Sequence, residues 1–214
     1  MFSTPGLCQE TSRLVSNLNA GKKQIIVTYG TSLTASGKWA EQLSNQLDRF
    51  YPGQATIINS GAPEKASNWG VKNLQERVID QHPDAVFIEF SINDADWHLG
   101  MSQKKSRKNL ETMIDRILAA NKSCEIILMV MNPPTGSHLN GRKKIEAYNQ
   151  IYRDVAAERN VMLIDHYPAW QKILKENPQQ FAMYVPDGIH PNWEGSSAVT
   201  TPNILKALGI DLEG

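Results

Sequence analysis

The chain has 214 residues, of which 41% are hydrophobic, enough for one domain with a substantial core. Basic and acidic residues both number 22, so the formal net charge is zero and the chain carries no electrostatic footprint for nucleic acid. Cys8 and Cys124 are too few for a disulfide framework or a cysteine-based metal site, and no apolar run is long enough to span a membrane.

Met1–Gln24 lacks a basic segment followed by an apolar stretch, so no signal peptide is read and a cytoplasmic location is expected; a trimmed leader would leave no trace and would make the location periplasmic or secreted. Residues 1–23 are expected to add a helical extension on Leu7, Leu14 and Leu18. The first short apolar run is Gln24–Tyr29. Directly after it comes Tyr29-Gly30-Thr31-Ser32-Leu33-Thr34. Trp39, Leu43, Leu47 and Phe50 then share one helical face.

The second run, Ala55–Asn59, leads into Asn59-Ser60-Gly61, and Val71, Leu74 and Val78 mark the next helix. The third, Ala85–Phe90, is interrupted by Glu89, for which a structural ion pair or hydrogen-bond network is expected. It leads into Ser91-Ile92-Asn93-Asp94. Leu110, Met113, Ile114, Ile117 and Leu118 form a helical stripe. Cys124 precedes the fourth run, Glu125–Met131, as a reduced, near-core thiol. A Pro- and Gly-containing loop, Asn132–Gly141, follows as a candidate pocket wall carrying His138. Ile145, Tyr148, Tyr152, Val155 and Ala156 make another stripe. Val161–Asp165 is the last run, and a final helix covers about Ser196–Leu208. Between these two lies Pro186-Asp187-Gly188-Ile189-His190-Pro191. The basic clusters at Lys104–Lys108 and Arg142–Lys144 open helices and are expected to be solvated faces.

The five runs are continuously apolar, as parallel strands buried on both faces would be. Alternating with helices, they predict a three-layer α/β/α fold around a five-stranded parallel sheet. In the order 2-1-3-4-5, Ser32, Gly61 and Asn93 gather at the carboxyl edge of adjacent strands, and the loop with Asp187 and His190 starts from the same edge.

The residue types suit acyl transfer. A serine hydroxyl needs a base, which His190 supplies, and Asp187 can fix the imidazole tautomer. The backbone N–H groups of Ser32 and Gly61 and the amide of Asn93 are candidate oxyanion donors. His166 beside Asp165 is a weaker alternative base, His82 before Pro83 reads as structural, and Asp94 reads as a structural carboxylate. Trp39 reads as core. Trp69, Trp97 and Trp193, each near a motif, are candidate sugar-stacking walls, with His138 a further substrate-contact candidate.

These blocks resemble the SGNH, or GDSL-like, hydrolase superfamily over roughly Ile25–Leu208. The resemblance implies a flavodoxin-like fold and a metal-free, cofactor-free serine esterase. It implies Ser32 as nucleophile, Gly61 and Asn93 as oxyanion donors, and Asp187 and His190 as the Asp-x-x-His pair. Thr31 replaces the family's usual aspartate and Ser91 its usual glycine. The variant resembles a carbohydrate-esterase-like branch, which implies a small-molecule or oligosaccharide acyl ester, acetyl foremost, as substrate. Lipid or thioester acyl hydrolysis and a non-catalytic carbohydrate-binding module are the alternatives. A phosphate loop fails because Ser32 stands where its first glycine belongs, and the G-x-S-x-G elbow fails at Thr34. No H-E-x-x-H zinc motif exists.

Overall fold

The computed structural model describes residues 12–210. Cys8 and Leu7 lie outside that range. Five strands, β1 (Gln24–Gly30), β2 (Ala55–Asn59), β3 (Ala85–Glu89), β4 (Glu125–Val130) and β5 (Met162–Asp165), form one sheet. Their order is β2-β1-β3-β4-β5, and every neighbouring pair is parallel.

The helices are α1 (Arg13–Asn19), α2 (Ser32–Ala35), α3 (Lys38–Phe50), α4 (Ser67–Arg77), α5 (Ser91–Asp94), α6 (Gln103–Ala120), α7 (Gly136–Gly141), α8 (Ile145–Arg159), α9 (Tyr167–Glu176), α10 (Pro178–Tyr184), α11 (Trp193–Gly195) and α12 (Thr201–Leu208). A π-helical turn, Ser196–Thr200, joins the last two.

The chain steps one way across the sheet from β1 to β2, then the other way from β2 to β5. Right-handed crossovers therefore place α3 on one face and α4, α6 and α8 on the other. In agreement, α4 packs on α6 and α6 on α8, whereas α12 packs on α3 and β5. The helical stripes meet the sheet as their spacing requires. Leu43 and Leu47 on α3, Met113 and Ile114 on α6, and Tyr152 and Val155 on α8 are all fully buried. Each such apolar side chain contributes roughly 1.5–3 kcal/mol by leaving water. On α4 the stripe is weaker: Leu74 is buried, Val71 only partly, and Val78 is buried just beyond the helix end.

Both edge strands depart from the expected burial on both faces; in β5 only Ile164 is buried. β2 is half-exposed, with Thr56 and Asn59 open to solvent, because it is an edge strand with a single neighbour. A second departure is the segment after β5, to which no element is assigned from sequence. Here α9 and α10 enclose a satellite core of Trp170, Phe181, Val185 and Val199. Trp170 meets Phe181 edge-on at 5.8 Å. Gly195 is required beside it, since a Cβ there would lie 2.8 Å from Tyr184 Cβ. The loop after β4 is also partly helical, as α7.

At the opposite edge of the sheet, Glu125 opens β4 and receives the N-terminus of α1. Its carboxylate accepts from Leu14 N at 2.7 Å and Ser12 Oγ at 2.8 Å. A carboxylate there also complements the helix dipole. Leu14, Val15 and Leu18 of α1 are buried against the core.

Candidate active site

β1 ends at Gly30, and Thr31 caps α2 by accepting the Leu33 N–H at 3.2 Å on its hydroxyl. Ser32 is the first residue of that short helix, so its own N–H lacks an intrahelical acceptor. Glu89 sits opposite Gly30 in the β1–β3 register. Its carboxylate accepts from Thr31 N at 2.7 Å, Thr31 Oγ1 at 2.9 Å and Thr34 Oγ1 at 2.8 Å. Glu89 is 1% exposed, and burial pushes its pKa up to about 7, against the lowering effect of these hydrogen bonds. The close approach explains the glycine: a Cβ on Gly30 would stand 2.4 Å from Glu89 Oε1. Trp39 adds a further tie, its indole N–H donating to Leu33 O at 2.8 Å.

His190 Nε2 lies 2.8 Å from Ser32 Oγ, and His190 Nδ1 lies 2.6 Å from Asp187 Oδ2. The other Asp187 oxygen accepts the backbone N–H of His190 at 2.8 Å and of Ile189 at 3.0 Å. Burial acts to raise the Asp187 pKa, but these N–H groups and the imidazole outweigh it and pull it down to about 2. An ionised carboxylate can only accept, so Nδ1 carries the proton and Nε2 presents its lone pair to Ser32. The loop after β4 braces this turn. Thr135 N donates to Gly188 O at 2.8 Å, and Asn132 Nδ2 donates to Ile189 O at 3.0 Å. Gly188 adopts a φ of 85°, a left-handed conformation that favours glycine.

Asn93 opens toward the same edge from α5. Its Nδ2 donates to Lys65 O at 3.0 Å, and its Oδ1 accepts from Arg142 Nη2 at 3.2 Å. Gly61 leaves no room for a side chain, since a Cβ would lie 2.5 Å from Ala35 N. Its N–H donates to Asn59 Oδ1 at 3.1 Å, so donation to an oxyanion requires it to leave that acceptor. Asp94 ties two helices together, accepting from Ser67 N at 2.8 Å and Ser106 Oγ at 2.5 Å.

The candidate substrate contacts separate. Trp69 is half-buried and packs on Tyr29 at 5.7 Å, as a core residue does. Trp97 is 68% exposed, and its ring stacks on His98 at 3.7 Å. It borders a groove of about 450 Å³ with Met101, Asn140, Lys143 and Tyr148. Trp193 is also exposed but lines a different groove with Gln42, Asn45 and Thr201. His138 is half-buried on α7, and its carbonyl accepts from Arg142 Nη1 at 3.3 Å. The Asp165–His166 pair does not form: Asp165 is engaged by Arg153 Nε at 2.8 Å, and buried His166 is driven down to a pKa of about 3. Among the described residues no cluster of three or more His, Cys, Asp or Glu could hold a metal ion, and no helix is long and apolar enough to cross a membrane.

Beside Ser32 and His190 is a cavity of about 10 Å³, walled by Leu33, Trp39, Met131 and Pro191. A cavity of about 750 Å³ lies at the other edge of the sheet beside Arg13, Cys124 and Glu125. No serine–histidine–carboxylate array borders it, so size alone does not locate the chemistry.

Arg142 departs from the solvated basic face expected of its cluster: it is buried against Asn93. Nothing in the run Arg142-Lys143-Lys144 separates it from its exposed neighbours.

A serine–histidine–aspartate array at the carboxyl edge of a parallel α/β/α sheet is the arrangement of a serine hydrolase. The chain belongs to the GDSL-like lipase/acylhydrolase family, whose model matches residues 26–198. Esterase TesA of Pseudomonas aeruginosa is 26% identical over 175 residues, covering 78% of this chain and 80% of its own. The uncharacterized lipoprotein YqeF of Bacillus subtilis is 26% identical over 209 residues, covering 81% and 85% respectively. The acetylxylan esterase Axe2 of Geobacillus stearothermophilus shares the fold, with a TM-score of 0.77 at 20% identity over 89% of this chain and 96% of that one. Solved catalytic mutants of Axe2 replace a serine, an aspartate and a histidine.

Proposed function

We propose that this protein removes short acyl groups, acetyl foremost, from a carbohydrate through an acyl-Ser32 intermediate. The observation that carries this reading is the unbroken array from Asp187 through His190 to Ser32, with contacts of 2.6 and 2.8 Å. His190 Nε2 takes the Ser32 proton as Oγ attacks the ester carbonyl. The oxyanion forms against the Ser32 N–H and the Asn93 amide, with the Gly61 N–H as a third donor once it leaves Asn59. Collapse breaks the bond to the sugar oxygen, and His190 returns the proton to that leaving alcohol. A water then loses its proton to His190 as it attacks the acyl carbon, and Ser32 leaves as the alcohol.

Three observations favour a small acyl group on a sugar. The cavity beside Ser32 and His190 is small, about 10 Å³. Trp97, four residues after Asn93 in the chain, offers an exposed ring, the kind of surface on which a pyranose stacks. The acetylxylan esterase Axe2 has the same fold.

The experiment is hydrolysis of p-nitrophenyl acetate by the wild type and Ser32→Ala, both shown to be folded, with labelling by a fluorophosphonate. Turnover and labelling that vanish in the mutant support the reading. A mutant that keeps its rate moves the nucleophile elsewhere. A wild type that neither turns over nor labels favours the non-catalytic carbohydrate-binding module.

A further inference from the structure

Arg142 is only 8% exposed, although the two lysines after it are exposed. Its guanidinium gathers groups from α5, the turn after it and α7. Nε donates to Ile92 O at 2.8 Å, and Nη1 donates to His138 O at 3.3 Å. Nη2 donates to Asn93 Oδ1 at 3.2 Å and pairs with Asp96 Oδ2 at 2.9 Å.

The contact with Asn93 has a chemical consequence. A side-chain amide has an accepting end and a donating end. Flipping it exchanges oxygen for nitrogen at nearly the same positions. The Lys65 carbonyl can only accept, and the Arg142 guanidinium can only donate. With one at each end, a single orientation of Asn93 satisfies both. That orientation commits Oδ1 to Arg142 and leaves on Nδ2 a second N–H beyond the one held by Lys65. The neighbouring positive charge also draws electron density toward Oδ1, which makes the N–H groups stronger donors.

We propose that Arg142 is a positioning residue for ester hydrolysis, locking the Asn93 amide with its N–H available to the oxyanion and polarising it for that charge. This rests on Asn93 being an oxyanion donor. The effect is largest when negative charge develops on the substrate oxygen, so it belongs to the transition state rather than to substrate binding.

The test is a double-mutant cycle on p-nitrophenyl acetate with Asn93→Ala, Arg142→Met and the double variant, each checked for native circular dichroism and Tm. Asn93→Ala is expected to lower kcat by about 10²-fold, the usual loss for one such donor. Arg142→Met is expected to lower kcat by about tenfold with KM within about twofold, and to weaken an alkylboronic acid, a tetrahedral mimic, by the same factor. In the Asn93→Ala background, Arg142→Met should cost nothing further. A double variant whose loss is the product of the two single losses overturns the proposal, as does an effect on KM alone. An Asn93→Ala variant with unchanged kcat overturns the reading of Asn93 itself, and the proposal with it. Should Arg142→Met fail to fold, Arg142→Gln carries the cycle for the polarising charge alone, since it keeps a donor but removes the charge.

Discussion

Thr31 gives Glu89 two hydrogen bonds, from its backbone N–H at 2.7 Å and its hydroxyl at 2.9 Å. The residue before the candidate nucleophile is thus fastened to a carboxyl group inside the central sheet. Glu89 has a folded-state pKa of about 7, above its ordinary 4.5. The native state therefore holds this proton more tightly than the unfolded chain. The resulting stabilisation is complete below pH 4.5 and is lost as the pH rises through 7. Glu89→Gln imitates the protonated form and should lack that dependence. Denaturant unfolding of both proteins at pH 5 and pH 8 should show the balance moving in the variant's favour by a few kcal/mol. Parallel profiles would sink the assignment.

Asp187 titrates at about 2, so it is ionised throughout the range in which an esterase is assayed. Asp187→Asn should lower kcat on the order of 10²–10⁴-fold by releasing the imidazole tautomer. The wild type should show no acid limb that traces to this carboxylate. A kcat within threefold of wild type would remove Asp187 from the relay.

The small cavity beside Ser32 predicts a steep dependence on acyl length. With p-nitrophenyl esters, kcat/KM should fall by about tenfold or more from acetate to octanoate, because a longer chain must displace close-packed Trp39 or Met131. A flat or rising series would favour a lipid or thioester substrate.

Trp97 has the more open ring of the two exposed tryptophans, 68% against 42% for Trp193. Trp97→Ala should raise KM for an acetylated xylooligosaccharide about tenfold more than KM for p-nitrophenyl acetate. Equal changes for both substrates would show that the ring does not meet the sugar.

Gly30→Ala would push a Cβ against Glu89 Oε1, Glu89 O and Thr34 Oγ1. The strand must shift to accept it, at about 1–3 kcal/mol, and Ser32 shifts with it. Chemical denaturation and kcat should both fall. A fully stable, fully active variant would contradict the close contact.

Much of this fold was legible in the chain. The apolar runs at Gln24, Ala55, Ala85, Glu125 and Val161 became the five parallel strands, to within a residue or so at their ends. That pattern is local, because a strand covered by helices must be apolar on both faces. The order 2-1-3-4-5 already puts β2 at an edge, but its partial exposure was not legible in its own apolar run, since exposure depends on how many neighbours a strand has. The satellite core around Trp170 was missed because its contacts are shared among α9, α10 and the turn before α12 rather than lying on one periodic stripe.

The sequence by itself determined which chemistry is available: a serine after the first run, an aspartate three residues before a histidine, and Asn93 after the third. Residue type and position along the chain suffice for that, because parallel strands deliver their following loops to one edge. Only the tertiary structure decided that Ser32 and His190 meet at 2.8 Å, that Glu89 accepts from Thr31 and Thr34, and that Arg142 is buried against Asn93 while Lys143 is not. Each of these is a hydrogen bond between residues far apart in the chain. Its geometry is fixed by strand register and helix packing, which no local pattern encodes.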